Sequence, residues 1–159
     1  MGVDGRVRRI LTDEDPALRV VSTAVALPDA GLTADIADLA ATLQDFRERA
    51  GFGRAISAPQ VGIHKRLIVM NLGDGPIALL NPVITDHSEA KQQVWDDCLS
   101  VPDKLVLVER SAEISVKFTT PDGVEDNWPD LSASMSELLE HEIDHLDGIL
   151  MTDRMISDE

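Results

Sequence analysis

Five residues near the end of this 159-residue chain, His141-Glu142-Ile143-Asp144-His145, constrain it more than any other feature. Histidines four apart share one face of an α-helix, one turn apart, so both imidazoles can reach a single metal ion. The glutamate beside the first histidine can then sit over a metal-bound water and take its proton. The flanking pattern supports the helix, which is expected over residues 133–146 and ended by Gly148. The same five letters also read as a surface helix with two solvated histidines, because exposed His and Glu are common.

A catalytic site of this kind needs about three protein ligands and one open position, so a third ligand must come from elsewhere in the chain. The sole cysteine, Cys98, stands in Asp96-Asp97-Cys98-Leu99-Ser100 between strand candidates. Taken alone, a lone cysteine reads as a small buried hydrophobe, and acidic neighbours disfavour its thiolate. A cation removes that objection, since coordination deprotonates the thiol. The remaining histidines, His64 and His87, lie in polar, loop-like surroundings and read as solvated.

The rest of the pattern is that of one α+β domain over residues 1–159. Residues 33–50 form an amphipathic helix, with Ile36, Leu39, Leu43 and Phe46 on one face, Thr33 as N-cap and Gly51 just past the end. Strands are expected over residues 66–71, 77–84, 101–108 and 113–119. Fourteen Lys and Arg against twenty-nine Asp and Glu leave a formal charge of −15. That charge disfavours nucleic acid and anionic membrane surfaces as partners. No secretory leader or bilayer-length apolar run is visible, and one cysteine permits no internal disulfide, so a cytoplasmic setting is expected.

Three segments together resemble the sequence motifs of the peptide deformylases, in the family's order. They are Gly53-Arg54-Ala55-Ile56-Ser57-Ala58-Pro59-Gln60, Cys98-Leu99-Ser100 and His141 to His145. Similarity extends to Ile10-Leu11, to Asp15-Pro16-Ala17-Leu18-Arg19, to Val61-Gly62 and to Leu79-Leu-Asn-Pro-Val-Ile84. The resemblance implies antiparallel or mixed sheets around a central C-terminal helix that bears the histidines. It implies that Cys98, His141 and His145 hold one divalent ion, with Fe2+ ranked first and Zn2+ or Ni2+ as replacements. Glu142 would be the general acid/base. The Gln60 amide and the Leu99 backbone N–H would polarise the formyl oxygen and stabilise the oxyanion; alone, Gln60 also reads as a loop side chain capping nearby backbone.

The positions that would touch substrate depart from the family pattern. Arg54 stands where an apolar residue is usual, Ala55 and Asp97 where glycines are usual, and Asp96 where glutamate is usual. Leu105 replaces an arginine that helps hold substrate. Ser134 and Glu137 occupy apolar pocket positions, and Glu140 replaces a glutamine. Glu137, His141 and His145 fall at i, i+4 and i+8, which puts Glu137 on the metal-facing side. Alternatively, Ser134 to Glu137 is a capping box. Arg54 is either solvated or paired with Glu137 across the pocket, because a buried unpaired charge is expensive.

The expected activity is removal of the N-formyl group from the N-terminal methionine of nascent peptides. The alternatives are an amidohydrolase acting on a non-methionine or polar N-acyl substrate, and a non-catalytic binding protein. Only fourteen residues follow His145, with one arginine among four acidic residues, so tight docking on a ribosome is not expected.

Overall fold

The pattern of the first helix is realised as α1, Leu32–Ala50, with Leu39, Leu43 and Phe46 buried and Ile36 half-buried against the same cluster. Its N-cap is Gly31, not Thr33. Asp29 explains the earlier start: its Oδ1 accepts the Gly31 N–H at 2.9 Å and its carbonyl accepts that of Leu32 at 3.2 Å. A tight turn therefore runs straight into the helix. Gly51 closes it at φ +80°, where a side chain would be strained.

The computed structural model describes residues 5–158; the expected 1–159 domain span includes residues 1–4 and 159, which lie outside them. The strands are β1 (Ala55–Ser57), β2 (Leu67–Met70), β3 (Ile77–His87), β4 (Lys91–Cys98), β5 (Val101–Ser111), β6 (Ile114–Thr119), β7 (Glu125–Trp128) and β8 (Met155–Asp158). Helix α2 spans Ala133–Leu146. The strands form two antiparallel sheets, β1-β2-β3-β6-β7 and β4-β5-β8. A lone parallel bridge joins Thr23 to Lys65. None of the described helices is long and apolar enough to cross a membrane.

Strand β2 shows why the larger sheet carries a continuous apolar run. Leu67 and Val69 face α1, with Ile56, Leu80, Leu39 and Phe46. Ile68 and Met70 face α2, with Leu79, Val116, Leu139 and Ile143. A strand covered on both faces has no polar side to show.

Helix α2 occupies the centre. From Ser136 to Leu146 every residue except Glu140 is buried. Ser132 is the N-cap, accepting the Met135 N–H at 3.2 Å, so the alternative capping box at Ser134 is not formed. At the other end the Leu146 carbonyl accepts from the Ser22 N–H at 2.8 Å and from Arg66 at 3.1 Å. A cation there also suits the negative end of the helix dipole. Gly148 follows at φ +73°, and a Cβ on it would lie 2.5 Å from the Arg19 carbonyl oxygen. Both backbone angle and space demand glycine.

Candidate active site

Strand β4 runs antiparallel to β5 as far as Asp96 opposite Val106, and Cys98 then faces Val101 across a turn at Leu99 and Ser100. Residues 102–105 bulge out of the ladder on the β5 side. Cys98 thus ends a strand rather than lying between strands, and its sulfur points inward toward α2. There it meets His141 and His145, all three buried, with the ligating atoms within 4.8 Å of one another. Cys98 Sγ lies 3.3 Å from His145 Nε2.

This donor set fits a metal ion. Around a tetrahedral ion with about 2.3 Å to sulfur and about 2.0–2.1 Å to nitrogen, neighbouring donor atoms stand roughly 3.3–3.6 Å apart. Thiolate plus two imidazoles suits iron, zinc, nickel and cobalt. His141 Nδ1 is 2.9 Å from Asp96 Oδ2, which fixes the tautomer that leaves Nε2 free for the ion. Asp96 does more than line the cavity: the same oxygen accepts from Arg110 Nη2 at 2.7 Å, and both residues are buried. Arg110 continues to Asp144, whose two oxygens accept from Arg154 at 2.5 and 3.0 Å. His145 Nδ1 has no such partner among the described residues.

Electrostatics separate the two histidines. Burial works against charge at His141, but the Cys98 sulfur and the Asp96 carboxylate outweigh it and hold its pKa well above the ordinary value. At His145 burial and the neighbouring His141 hold the pKa well below. Burial likewise raises Asp96, yet its bonds to His141 and Arg110 bring it below the usual carboxylate range.

Glu142 is buried beside the first histidine. Its Oε1 accepts from Ser57 Oγ at 2.8 Å, and its backbone carbonyl lies 3.0 Å from the same hydroxyl. Burial pushes the Glu142 carboxyl up, against the opposing pull of His141 and Ser57. A carboxyl raised in this way takes up and holds a proton more readily than an exposed one.

Gln60 has two faces. Its Oε1 accepts the Ser57 N–H at 2.9 Å, the capping that the residue alone suggested. Its Nε2 points into the site, 3.0 Å from Ser100 Oγ and 3.7 Å from Cys98 Sγ. The Leu99 side chain belongs to the α1 core, so that residue can offer the site only its backbone. The irregular stretch ahead of Pro16 ties both loops down: Leu11 N–H bonds the Gln60 carbonyl at 2.7 Å and Asp13 N–H the Ser100 carbonyl at 3.1 Å.

A cavity of about 320 Å³ opens on these groups. Cys98, His141 and Glu142 line it together with Arg54, Glu137 and Leu138, Glu137 lying one helical turn before His141 on the same helix. Arg54 Nη2 pairs with Glu137 Oε1, and Arg54 Nη1 donates to Ser134 Oγ at 3.0 Å. Of the two expectations for Arg54, the pair across the pocket is the one formed. The Ala55 side chain packs in the α2 core, so Ala55 reaches the cavity only by its main chain, on the edge strand β1. Asp97 also borders the cavity, and burial together with Asp96 raises its carboxyl. Glu140 turns away and accepts the Ser111 N–H at 2.7 Å. His87 is exposed, as expected, whereas His64 is half-buried and its Nδ1 has no partner among the described residues.

Sequence reasoning missed Ser57, Ser100, Arg110 and the role of Asp144. Arg110 carried a signal: Val106, Val108 and Arg110 share the inward face of β5, so the alternation already placed a charge in the core. Both serines stand inside the quoted family motifs, but nothing local assigned them Glu142 and Gln60 as partners.

Comparison with known proteins gives the family and the fold. Residues 7–159 match the family described as polypeptide deformylase. A peptide deformylase of Alkaliphilus metalliredigens is 38% identical over 154 residues, covering 96% of this chain and 99% of that one. One from Thermotoga maritima is 35% identical over 149 residues, covering 92% of this chain and 86% of the relative. The crystal structure of peptide deformylase from Thermotoga maritima superposes with a TM-score of 0.86 at 33% identity, over 94% of this chain and 98% of that chain. A peptide deformylase from Synechococcus elongatus, in complex with actinonin, gives 0.84 at 29% identity over 98% of this chain and 82% of that chain.

Proposed function

This chain belongs to the polypeptide deformylase family, and from that premise we propose how its own residues remove the formyl group from the N-terminus of a nascent peptide. It is a metal-dependent hydrolase of the formamide C–N bond, releasing formate. The observation that carries the reading is the convergence of Cys98, His141 and His145 beside a buried Glu142 and the Gln60 amide.

Cys98, His141 and His145 would hold one divalent ion, Fe2+ first, with Zn2+ or Ni2+ able to take the same donors. Bound there, the ion supplies Lewis acidity toward the formyl carbonyl and toward a water nucleophile. Glu142 takes the proton released from water and returns it to the leaving amine. Ser57 steadies the carboxylate in the orientation this needs. Gln60 Nε2 and the Leu99 N–H donate to the formyl oxygen as it gains charge, with Gln60 held in place by its bond to Ser57 N–H. Asp96 keeps His141 in the ligating tautomer. A formal charge of −15 argues against tight docking on ribosomal RNA.

The test is formate release from N-formyl-Met-Ala-Ser by protein loaded separately with Fe2+, Ni2+ and Zn2+, with Glu142→Ala as blank. Formate is expected from the loaded parent and not from the blank. No formate under any loading overturns the reading.

A further inference from the structure

Next to the metal donors the cavity lining carries a charged pair among apolar residues such as Phe52, Leu99 and Leu138. Arg54 reaches the lining from just ahead of β1, and Glu137 from the first turns of α2, one helical turn from His141. Their side chains are 39% and 10% exposed, so the carboxylate lies within and the guanidinium enters from the rim. Ser134 Oγ accepts the other Arg54 nitrogen and anchors it. Among the described residues no protein group bonds the second Glu137 oxygen, although Glu137 borders the cavity. The wall therefore presents an open acceptor beside a donor.

We infer that the Arg54–Glu137 pair sets the choice of the first side chain, and that this subsite takes an uncharged hydrogen-bonding side chain, best a carboxamide, ahead of methionine. The inference rests on the proposed deformylase reaction and refines its substrate class. A glutamine side chain donates an N–H to Glu137 and accepts one from Arg54 together, leaving the pair intact. Methionine, of similar length, covers the pair, strips its water and offers no bond in return. Sites built to bond a polar group reject analogues that lack it far more strongly than apolar pockets reject an extra methylene. Lysine or glutamate leaves one member of the pair surplus to charge balance. Methionine substrates are still hydrolysed, but less efficiently.

The test compares N-formyl-Gln-Ala-Ser with the Met, Lys and Glu analogues by formate release from the metal-loaded enzyme. Calorimetric affinities of the unformylated peptides Gln-Ala-Ser and Met-Ala-Ser give a readout independent of turnover. The Gln substrate is expected to exceed Met by about tenfold in kcat/KM, mostly through KM, and the Gln peptide to bind more tightly. Combining Arg54→Leu with Glu137→Leu is expected to reverse the order; should that variant not fold, Glu137→Gln is expected to bring the ratio several-fold toward one. Met equal to or better than Gln in the parent overturns the inference, as does an unchanged ratio in the variant that folds. If no peptide yields formate, the reaction assignment falls instead, and the product affinities still decide the subsite by the same order.

Discussion

Two parts of the cavity lining, the metal side and the rim that carries Arg54 and Glu137, are built on opposite rules. On the metal side most reactive groups are held by a buried neighbour: His141 by Asp96, Asp96 by Arg110, Glu142 by Ser57, Gln60 by Ser57 and Ser100. Next to it, at the rim, stands a single ion pair open to water at its cationic end. The first side has little freedom, because each substitution strands a partner in the interior. The second can change with smaller effect on stability when both members of the pair go together, because no buried charge is then left unpaired. One fold can therefore keep its chemistry while altering what it admits.

Substitutions on the metal side sharpen that contrast most. Glu142→Ala is expected to lower kcat by about 10²–10⁴ with metal content unchanged, read by formate release beside metal analysis. Gln60→Leu should cost about 10²–10³, again with the metal retained; loss of the metal instead would make its role structural. Asp96→Asn should weaken metal affinity about 10–100-fold, measured by competition with a chelator.

A pH series refines the third result. The raised pKa of His141 means that a proton competes with the ion for this ligand. Metal affinity should therefore fall as pH drops through that value, by about tenfold per pH unit for one proton. Removing the Asp96 charge removes one cause of the raised value, so the onset of the fall should move to lower pH in Asp96→Asn. The smallest effect belongs to the rim. Removing the rim pair with Arg54→Leu and Glu137→Leu together should change unfolding free energy by only about 1 kcal/mol by denaturant titration, because both charges leave at once. A loss comparable to that of a buried pair, about 3–5 kcal/mol, would break the comparison.

Legibility in the sequence followed the same division. Helices α1 and α2 were readable from period and caps, and the metal ligands from spacing and family motifs. The displaced cap of α1 was not, because it depends on how Asp29 folds back on Gly31. Strand β4 escaped notice because Lys91-Gln92-Gln93 and Asp96-Asp97 are polar; its alternation shows only once the sheet buries Asp96 and Cys98. The short strands β1, β7 and β8 carry too few residues for a periodic signal. Expected strands over 77–84 and 101–108 stop short of the real ends, since the last residues of β3 and β5 are mainly polar and held by neighbours. Pairings such as Arg110 with Asp96 or Ser57 with Glu142 span 14 and 85 residues and exist only after the chain closes.

The contact of Gly148 with the Arg19 carbonyl has a mechanical consequence. The ligand-bearing helix abuts the short turn Pro16–Arg19 like a beam seated in masonry, and the chain leading into that turn also clips the two loops that carry Gln60 and Ser100. A protease cut near residues 12–20 would unseat beam and clips together, so loss of the ion should accompany the nick rather than await global unfolding.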